Sequence, residues 1–251
     1  MKKGGACPIC RGVTRLFDVV DFNVHYPETT YKADLSGHPV YYVECRDCGF
    51  LFAPEFRKWS SRDFAEKIYN DNYVNLDPDF VERRPRCNAA LLDNAFRQGK
   101  AHIRHIDYGG GAGLLSQLLV DLDWNSTNCD PYMAGDRAIG ELGKFNLITA
   151  FEVFEHVADV PRLAMDLSHL LDDEGLILFS TMASDGKLLY GQRISWWYVT
   201  PSSGHISIYS RKSIAALGAG MGLMSASFND ALHCYFKNIP AWARHLFEGN
   251  P

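Results

Sequence analysis

Ile103-Arg-His-Ile-Asp107-Tyr108-Gly109-Gly110-Gly111-Ala112-Gly113 carries the reading of the fold. An apolar run ends on an aspartate, four glycines follow within five residues, and Leu114, Leu115, Leu118 and Leu119 then recur at helical spacing. Strand, glycine turn and helix therefore follow one another, the unit from which parallel sheets are wound. Further strands are predicted at Asn128–Asp130, Phe145–Phe151 and Leu176–Thr181. A second amphipathic helix runs through Leu163, Leu167, Leu170 and Leu171, with Gly175 placed to end it. The tail gives a helix near Ser213–Leu217 and two strand-like runs, Leu223–Phe228 and Leu232–Phe236, around the turn signal Asn229-Asp230. The expected architecture is α/β, a doubly wound and mostly parallel sheet with a C-terminal antiparallel hairpin.

Ahead of this unit lie Cys7-Pro-Ile-Cys10 and Cys45-Arg-Asp-Cys48. Each Cys-x-x-Cys pair can direct two thiolates at one zinc ion, and two pairs complete a tetrahedral shell. The 34 residues between the pairs exceed the usual spacing of a compact site. Strand-like runs at Thr14–Val24 and Pro39–Glu44, with a turn at Ser36-Gly37, can fold back as a ribbon that brings them together. A closed four-thiolate site has no position for water, so its zinc is expected to be structural. A redox dithiol is the competing reading, but neither pair sits beside a βαβ unit. Cys87, Cys129 and Cys234 read as packed thiols. The chain thus divides into a β-rich zinc-binding module over residues 1–55, a helical connector over 56–100, and the α/β domain over 101–251.

A hydrophobic content of 47% with 22% charged residues places the chain among globular proteins, and a net charge of −5 gives no general attraction to phosphate backbones or anionic lipid. Nucleic acid is therefore disfavoured as a partner, although Arg11, Arg15, Arg46, Arg57, Lys58 and Arg62 in or near the ribbon keep a zinc-ribbon RNA-modifying protein as an alternative. The two lysines near the start run straight into Cys7 with no apolar segment, and nothing reaches membrane-spanning length. The expectation is a cytoplasmic protein without membrane contact.

The glycine loop has a ligand-binding pattern. Glycines at 109, 111 and 113 let the backbone turn sharply and approach a ligand closely, and the following helix presents unpaired N–H groups that suit a carboxylate as well as a phosphate. Asp130, 21 residues beyond Gly109, stands where an acidic side chain accepts hydrogen bonds from ribose hydroxyls. A dinucleotide fingerprint needs a third glycine at position 114, which is Leu114 here. An NAD-dependent nucleotide-sugar oxidoreductase is therefore the weaker alternative.

Over residues 100–240 these features resemble the class I S-adenosylmethionine-dependent methyltransferases, with their Rossmann-like sheet. Asp107-x-Gly109-x-Gly111-x-Gly113 matches the family's Asp-x-Gly-x-Gly-x-Gly, and Glu152-Val-Phe-Glu155-His156-Val157 is similar to its Glu-Val-Leu-Glu-His-Val segment. Gly204-His205-Ile-Ser-Ile-Tyr209-Ser210 fits a His-x-x-x-x-Ser segment of the same group. The resemblance implies that Asp107, Gly109, Gly110, Gly111 and Gly113 line the amino-acid end of S-adenosylmethionine. It implies further that Asp130 holds the ribose, Pro131 and Tyr132 flank the adenine, and Phe151 and Glu152 form the floor. Tyr73 and Arg84 would close over the cofactor carboxylate. Cysteine knuckles ahead of such a domain resemble sugar C-methyltransferases, with two departures: 41 residues follow Ser210 where those enzymes carry a further domain, and Ser202-Ser203-Gly204-His205 lacks the glutamate of their Tyr-x-Glu-His arrangement. Oxygen and nitrogen acceptors therefore stay open beside carbon.

The sulfonium methyl group is already activated, so the protein has mainly to align the acceptor and remove its proton. His205 is the candidate base and His156 the alternative. Trp196, Trp197, Tyr198 and Tyr209 are expected to wall the acceptor cleft, suiting a small molecule such as a sugar or another hydroxyl-bearing metabolite.

Overall fold

The computed structural model describes residues 5–28, 32–131 and 138–248. At the front, β1 (Thr14–Asp21) and β2 (Pro39–Cys45) pair antiparallel from Thr14↔Cys45 to Asp21↔Pro39, and β3 (Leu51–Phe52) adds to β2. Alternation sets the faces: Val40 and Tyr42 of β2 point inward and are fully buried, while Tyr41 between them is exposed. A bulge between Leu16 and Asp18 breaks the alternation of β1, and bulges re-aim the side chain that follows. Here that side chain is Asp18, whose carboxylate accepts the Ile194 N–H at 2.7 Å from a distant loop.

The connector holds α1 (Ser61–Lys67), the short α2 (Tyr73–Leu76) and α3 (Arg83–Phe96). A capping box between Ser60 and Asp63 starts α1, an arrangement that stabilises a helix end by about 1 kcal/mol. The third helix begins at Arg83, and Pro85 falls in its first turn, where the missing N–H costs no intrahelical bond. Its inward face is Ala89, Leu92, Asp93 and Phe96.

The second sheet contains β4 (Arg104–Tyr108), β5 (Asn125–Cys129), β6 (Phe145–Phe151), β7 (Leu171–Ser180), β9 (Met224–Ser227) and β10 (Leu232–Phe236), in the order β5-β4-β6-β7-β10-β9. Its first four strands are parallel, and β10 runs antiparallel to both β7 and β9. The hairpin forms where Asn229-Asp230 predicts it, the Asn229 side chain accepting the N–H groups of Ala231 and Leu232. Period-two alternation is visible in β7: Leu176 and Leu178 face a core built with α3 and α4 (Leu114–Asp121), whereas Ile177 and Phe179 face the core under α5 (Val160–Leu170) and α6 (Arg211–Gly220). Helices thus cover both faces. From β4 the chain winds outward to β5 and then returns to the other side of β4, so the order reverses at the carboxyl end of β4, the place where open α/β sheets bind ligands.

The ribbon is built into this body. Its sheet is completed by β8 (Ser207–Ile208), which pairs with β3 and gives the order β1-β2-β3-β8. Cys7, Cys45, Cys48 and Phe50 belong to the same buried cluster as Phe154, Phe179 and Tyr209. Residues 1–55 and 101–251 therefore share one core. No helix among the described residues is long and apolar enough to cross a membrane.

Candidate active site

Asp107 is the penultimate residue of β4 and is buried beneath the glycine loop. The Thr149 hydroxyl donates to Asp107 Oδ1 at 2.7 Å, so His105 Nε2 must donate to Thr149 (2.9 Å) and His105 Nδ1 must accept from the Ser126 hydroxyl (2.7 Å). This chain fixes the carboxylate across three strands. Burial raises the Asp107 pKa to about 7, and lowers that of His105 to about 3, which keeps the imidazole neutral.

Above it the loop is tied to the neighbouring strand. Gly109 N–H donates to the Cys129 carbonyl (2.8 Å), Gly111 N–H to Asp130 Oδ2 (2.9 Å), and the Asn128 amide to the Gly111 carbonyl (2.9 Å). The glycines differ in what they permit. A Cβ on Gly110 would lie 2.2 Å from Asp107 Oδ2, so that glycine allows the loop to close onto the strand end. Gly111, at φ +54°, has nothing within 4 Å of its Cβ direction and faces open space. Gly113 then leads into α4 with no side-chain cap, leaving the first N–H groups of the helix to a ligand. Asp130→Ala should weaken S-adenosylmethionine binding by about 1–3 kcal/mol, the value of hydrogen bonds to a charged acceptor. Calorimetry on the variant, giving wild-type affinity, would remove Asp130 from the site. Pro131 follows as a half-buried residue, and Tyr132 lies outside the described residues.

Glu152 follows β6 with φ +53°, a left-handed conformation that costs a non-glycine residue on the order of 1–3 kcal/mol. Ser180 at the end of β7 compensates: its Oγ accepts the Glu152 N–H at 2.8 Å while its hydroxyl donates to Glu152 Oε1 at 2.6 Å. The glutamate lines an open cavity of about 350 Å³ with Arg84, Asn88, Phe151, Ser180 and Asn229. Arg84 is held there by a bidentate pair with Asp77 (2.8 and 3.0 Å), an anchor not visible in the sequence pattern. Tyr73 is buried, its ring against Tyr69 and Phe80 and its hydroxyl 3.5 Å from the Ser203 carbonyl.

One turn beyond Glu152 sits Glu155, fully buried, which sequence reasoning did not single out although it lies beside His156. Its Oε1 accepts the Tyr198 hydroxyl at 2.6 Å. The Tyr198 carbonyl in turn accepts from His205 Nδ1 at 2.7 Å, so that nitrogen carries the hydrogen and the lone pair of the neutral ring is on Nε2. Burial lowers the pKa of both His205 and His156, and the two rings meet edge to face with centroids 4.9 Å apart. The structure therefore brings both candidate histidines together.

The aromatic wall is smaller than expected. Tyr198 supports the cluster from within, Trp197 is 43% exposed, and Trp196 is buried against the ribbon side. Tyr209 is corrected: it is fully buried between Phe50 and Phe154, with centroids 4.9 and 5.7 Å away, because the short strand β8 turns it into the shared core. The wall is held by the ribbon. Tyr42 donates to the His205 carbonyl (2.7 Å), Tyr26 to that of Val199 (3.2 Å), and Asp18 accepts from Ile194. Arg193 also reaches Asp18 at 3.1 Å, but its side chain is mostly exposed, so the backbone N–H bond does most of the positioning.

At the outer end of the ribbon the four cysteines converge. Cys7 and Cys48 sulfurs are 3.7 Å apart, Cys10 and Cys45 3.4 Å, and all four lie within 4.8 Å of one another. The two knuckles repeat one geometry: Arg11 and Gly49 have positive φ and donate to the carbonyls of Cys7 and Cys45, whose own N–H groups donate to the Gly12 and Phe50 carbonyls. A tetrahedral zinc with ~2.3 Å bonds needs sulfurs ~3.8 Å apart, so the arrangement fits the ion with small adjustments.

A family model described as a methyltransferase domain matches residues 80–225. The chain belongs to the methyltransferase-domain family. This methyltransferase carries the fold of the S-adenosylmethionine-dependent enzymes, with the glycine loop at the reversal of strand order. It is 26% identical over 130 residues to the ubiquinone biosynthesis O-methyltransferase of Colwellia psychrerythraea, covering 43% of this chain and 52% of that protein. The chain thus spans about half the length of the curated relative it matches. Among solved structures it is similar to the Burkholderia thailandensis 1,6-didemethyltoxoflavin-N1-methyltransferase with bound S-adenosylhomocysteine (17% identity, 76% of this chain and 96% of that chain, TM-score 0.47). It is also similar to the magnesium protoporphyrin IX methyltransferase of Synechocystis with bound S-adenosylmethionine (15% identity, 72% and 92% covered, TM-score 0.42).

Proposed function

We propose that the chain transfers the methyl group of S-adenosylmethionine to a small molecule, at a hydroxyl of a sugar or another metabolite. The observation that carries this reading is the loop at the sheet's switch point, tied back by Asp130 and Asn128 and open at Gly111. Gly111 and the start of α4 would hold the amino-acid end of the cofactor and Asp130 its ribose, and the cluster of Glu155, Tyr198, His156 and His205 would receive the acceptor. The acceptor sits at that cluster and loses its proton there, with the Nε2 lone pair of His205 available. The relatives support a small acceptor, since a didemethyltoxoflavin and a naphthoic acid are bound in two similar methyltransferases. Against an RNA substrate, Arg15 is paired with Glu44 and stacked on Tyr190, so it is not spare for phosphate.

Labelled methyl transfer to small-molecule pools, read by mass spectrometry, tests the acceptor class. Tight, salt-sensitive binding of bulk tRNA with methyl incorporation into RNA would overturn it.

The cysteine cluster is proposed to hold one structural zinc. Its loss would reach the acceptor wall, because the Cys48 carbonyl accepts the Ser210 hydroxyl at 2.6 Å and the neighbouring strand β3 carries β8. Purified protein should contain about one zinc per chain, and Cys45→Ser should lower yield and thermal stability. Four freely titratable thiols and no zinc after gel filtration in mild chelator would remove the metal from the account.

A further inference from the structure

We propose that Glu155, His156 and His205 form a second metal site, for a divalent transition-metal ion, at the acceptor end of the cleft. One ligand atom from each side chain lies within 4.8 Å of the other two. Glu155 and His156 come from the turn after β6, and His205 from the segment just ahead of β8. Each is left with a coordinating position that the protein does not fill. Glu155 is fully buried, its Oε1 is taken by Tyr198, and its Oε2 has no hydrogen-bond partner. His156 Nδ1 is likewise buried and makes no hydrogen bond of good geometry, with the Gly204 backbone lying against it. His205 donates through Nδ1 and keeps its lone pair on Nε2.

A buried carboxylate is costly unless a cation or a full set of hydrogen bonds meets it. No lysine or arginine is ion-paired with Glu155 among the described residues, and burial together with the nearby Glu152 charge pushes its pKa well up, so a bound cation would take the place of a proton on this carboxyl. A cation among these three side chains would meet the buried carboxylate with opposite charge. The supporting residues have the pattern of a metal site, in which a ligating histidine gives its other N–H to a carbonyl and a ligating carboxylate is itself hydrogen-bonded. Tyr198 does both, through its carbonyl to His205 and its hydroxyl to Glu155. Burial holds both imidazoles neutral, as ligands must be.

The donor set of one oxygen and two nitrogens suits manganese, iron, cobalt or zinc rather than calcium. It differs from the four thiolates of the ribbon. Metal–ligand bonds of ~2.1 Å allow at most ~4.2 Å between ligand atoms, so the side chains draw in by a fraction of an ångström on binding.

The proposal rests on the acceptor cleft described above and supplies its Lewis acid. With the ion bound, His205 Nε2 is a ligand and no longer the base of the metal-free reading, so an acceptor hydroxyl coordinated to the ion gives up its proton to water. Its oxygen then forms a bond to the methyl carbon while the carbon–sulfur bond breaks and that electron pair stays on sulfur, leaving S-adenosylhomocysteine.

The test uses full-length protein with zinc kept in the cysteine cluster and looser metals removed by mild chelation. Mn2+ is titrated and its free signal followed by electron paramagnetic resonance, Co2+ is titrated in parallel by visible absorption, and S-adenosylhomocysteine affinity is measured by calorimetry on every sample. Wild type should bind one Mn2+ or Co2+ per chain. Glu155→Gln and His205→Ala should abolish that binding, Tyr198→Phe should weaken it 10–100-fold, and cofactor affinity should persist throughout. If wild type takes up neither ion saturably, or if the variants bind as wild type does, the site does not exist. Retained cofactor binding in that case leaves the methyltransferase reading standing, and Tyr198→Phe remains informative should a ligand variant fail to fold.

Discussion

Gly111→Val is expected to abolish S-adenosylmethionine binding while leaving the protein folded. The two halves of that expectation have different physical origins. The Cβ direction of Gly111 meets nothing within 4 Å, so no protein atom must move to admit a side chain. The backbone is at φ +54°, where a β-branched residue is disfavoured by roughly 1–2 kcal/mol, a sum a folded domain absorbs. What the side chain fills is the space through which the cofactor reaches the loop backbone. Gly110→Val makes the instructive contrast: its Cβ would lie 2.2 Å from Asp107 Oδ2 and 2.3 Å from Asn128 Oδ1, so that variant should lose stability as well as binding. Equilibrium dialysis with labelled cofactor, paired with thermal melts, separates the cases. Wild-type affinity in a folded Gly111→Val protein would mean that the loop is only a turn.

His205→Ala is expected to keep cofactor affinity and lose about 10²–10⁴ in turnover, the usual contribution of a positioned proton acceptor. Burial lowers the pKa of the imidazole, so at neutral pH it is uncharged and its Nε2 lone pair is available. Activity in the wild type should fall as pH drops through that lowered value, below the ordinary histidine range near ~6.5. Residual activity of the alanine variant should lack this acid limb. Proton uptake by the same nitrogen would also displace a bound cation, so the direction is the same whether the lone pair meets a proton or a metal. Turnover within a few-fold of wild type would assign His205 to holding the loop alone.

The sequence shows most plainly what is local. The glycine loop, the helix behind it, the C-terminal hairpin and the two cysteine knuckles each depend on residues within a few positions of one another, and all stand where the pattern places them. What it conceals is long-range. The strand β8 is two residues long and carries no period, yet it joins the ribbon to the α/β body. Tyr209 belongs to the interior for that reason. Asp18 reads as an ordinary strand residue until the bulge before it aims the carboxylate at Ile194. Glu155 is marked in the sequence by its place in the Glu152–Val157 segment, but its burial depends on Tyr198, 43 residues further on. The ribbon therefore reads as a separate module in sequence, while in space Asp18, Tyr26 and Tyr42 hold the segment that carries Tyr198 and His205.

The measurement that bears most directly on the central claim needs no knowledge of the acceptor. Calorimetric titration of the purified wild-type chain with S-adenosylhomocysteine should give a single saturable site with one ligand per chain, and Asp130→Ala should weaken it. A folded protein that shows no saturable binding of S-adenosylhomocysteine or S-adenosylmethionine would contradict the account, whatever acceptors were later tried.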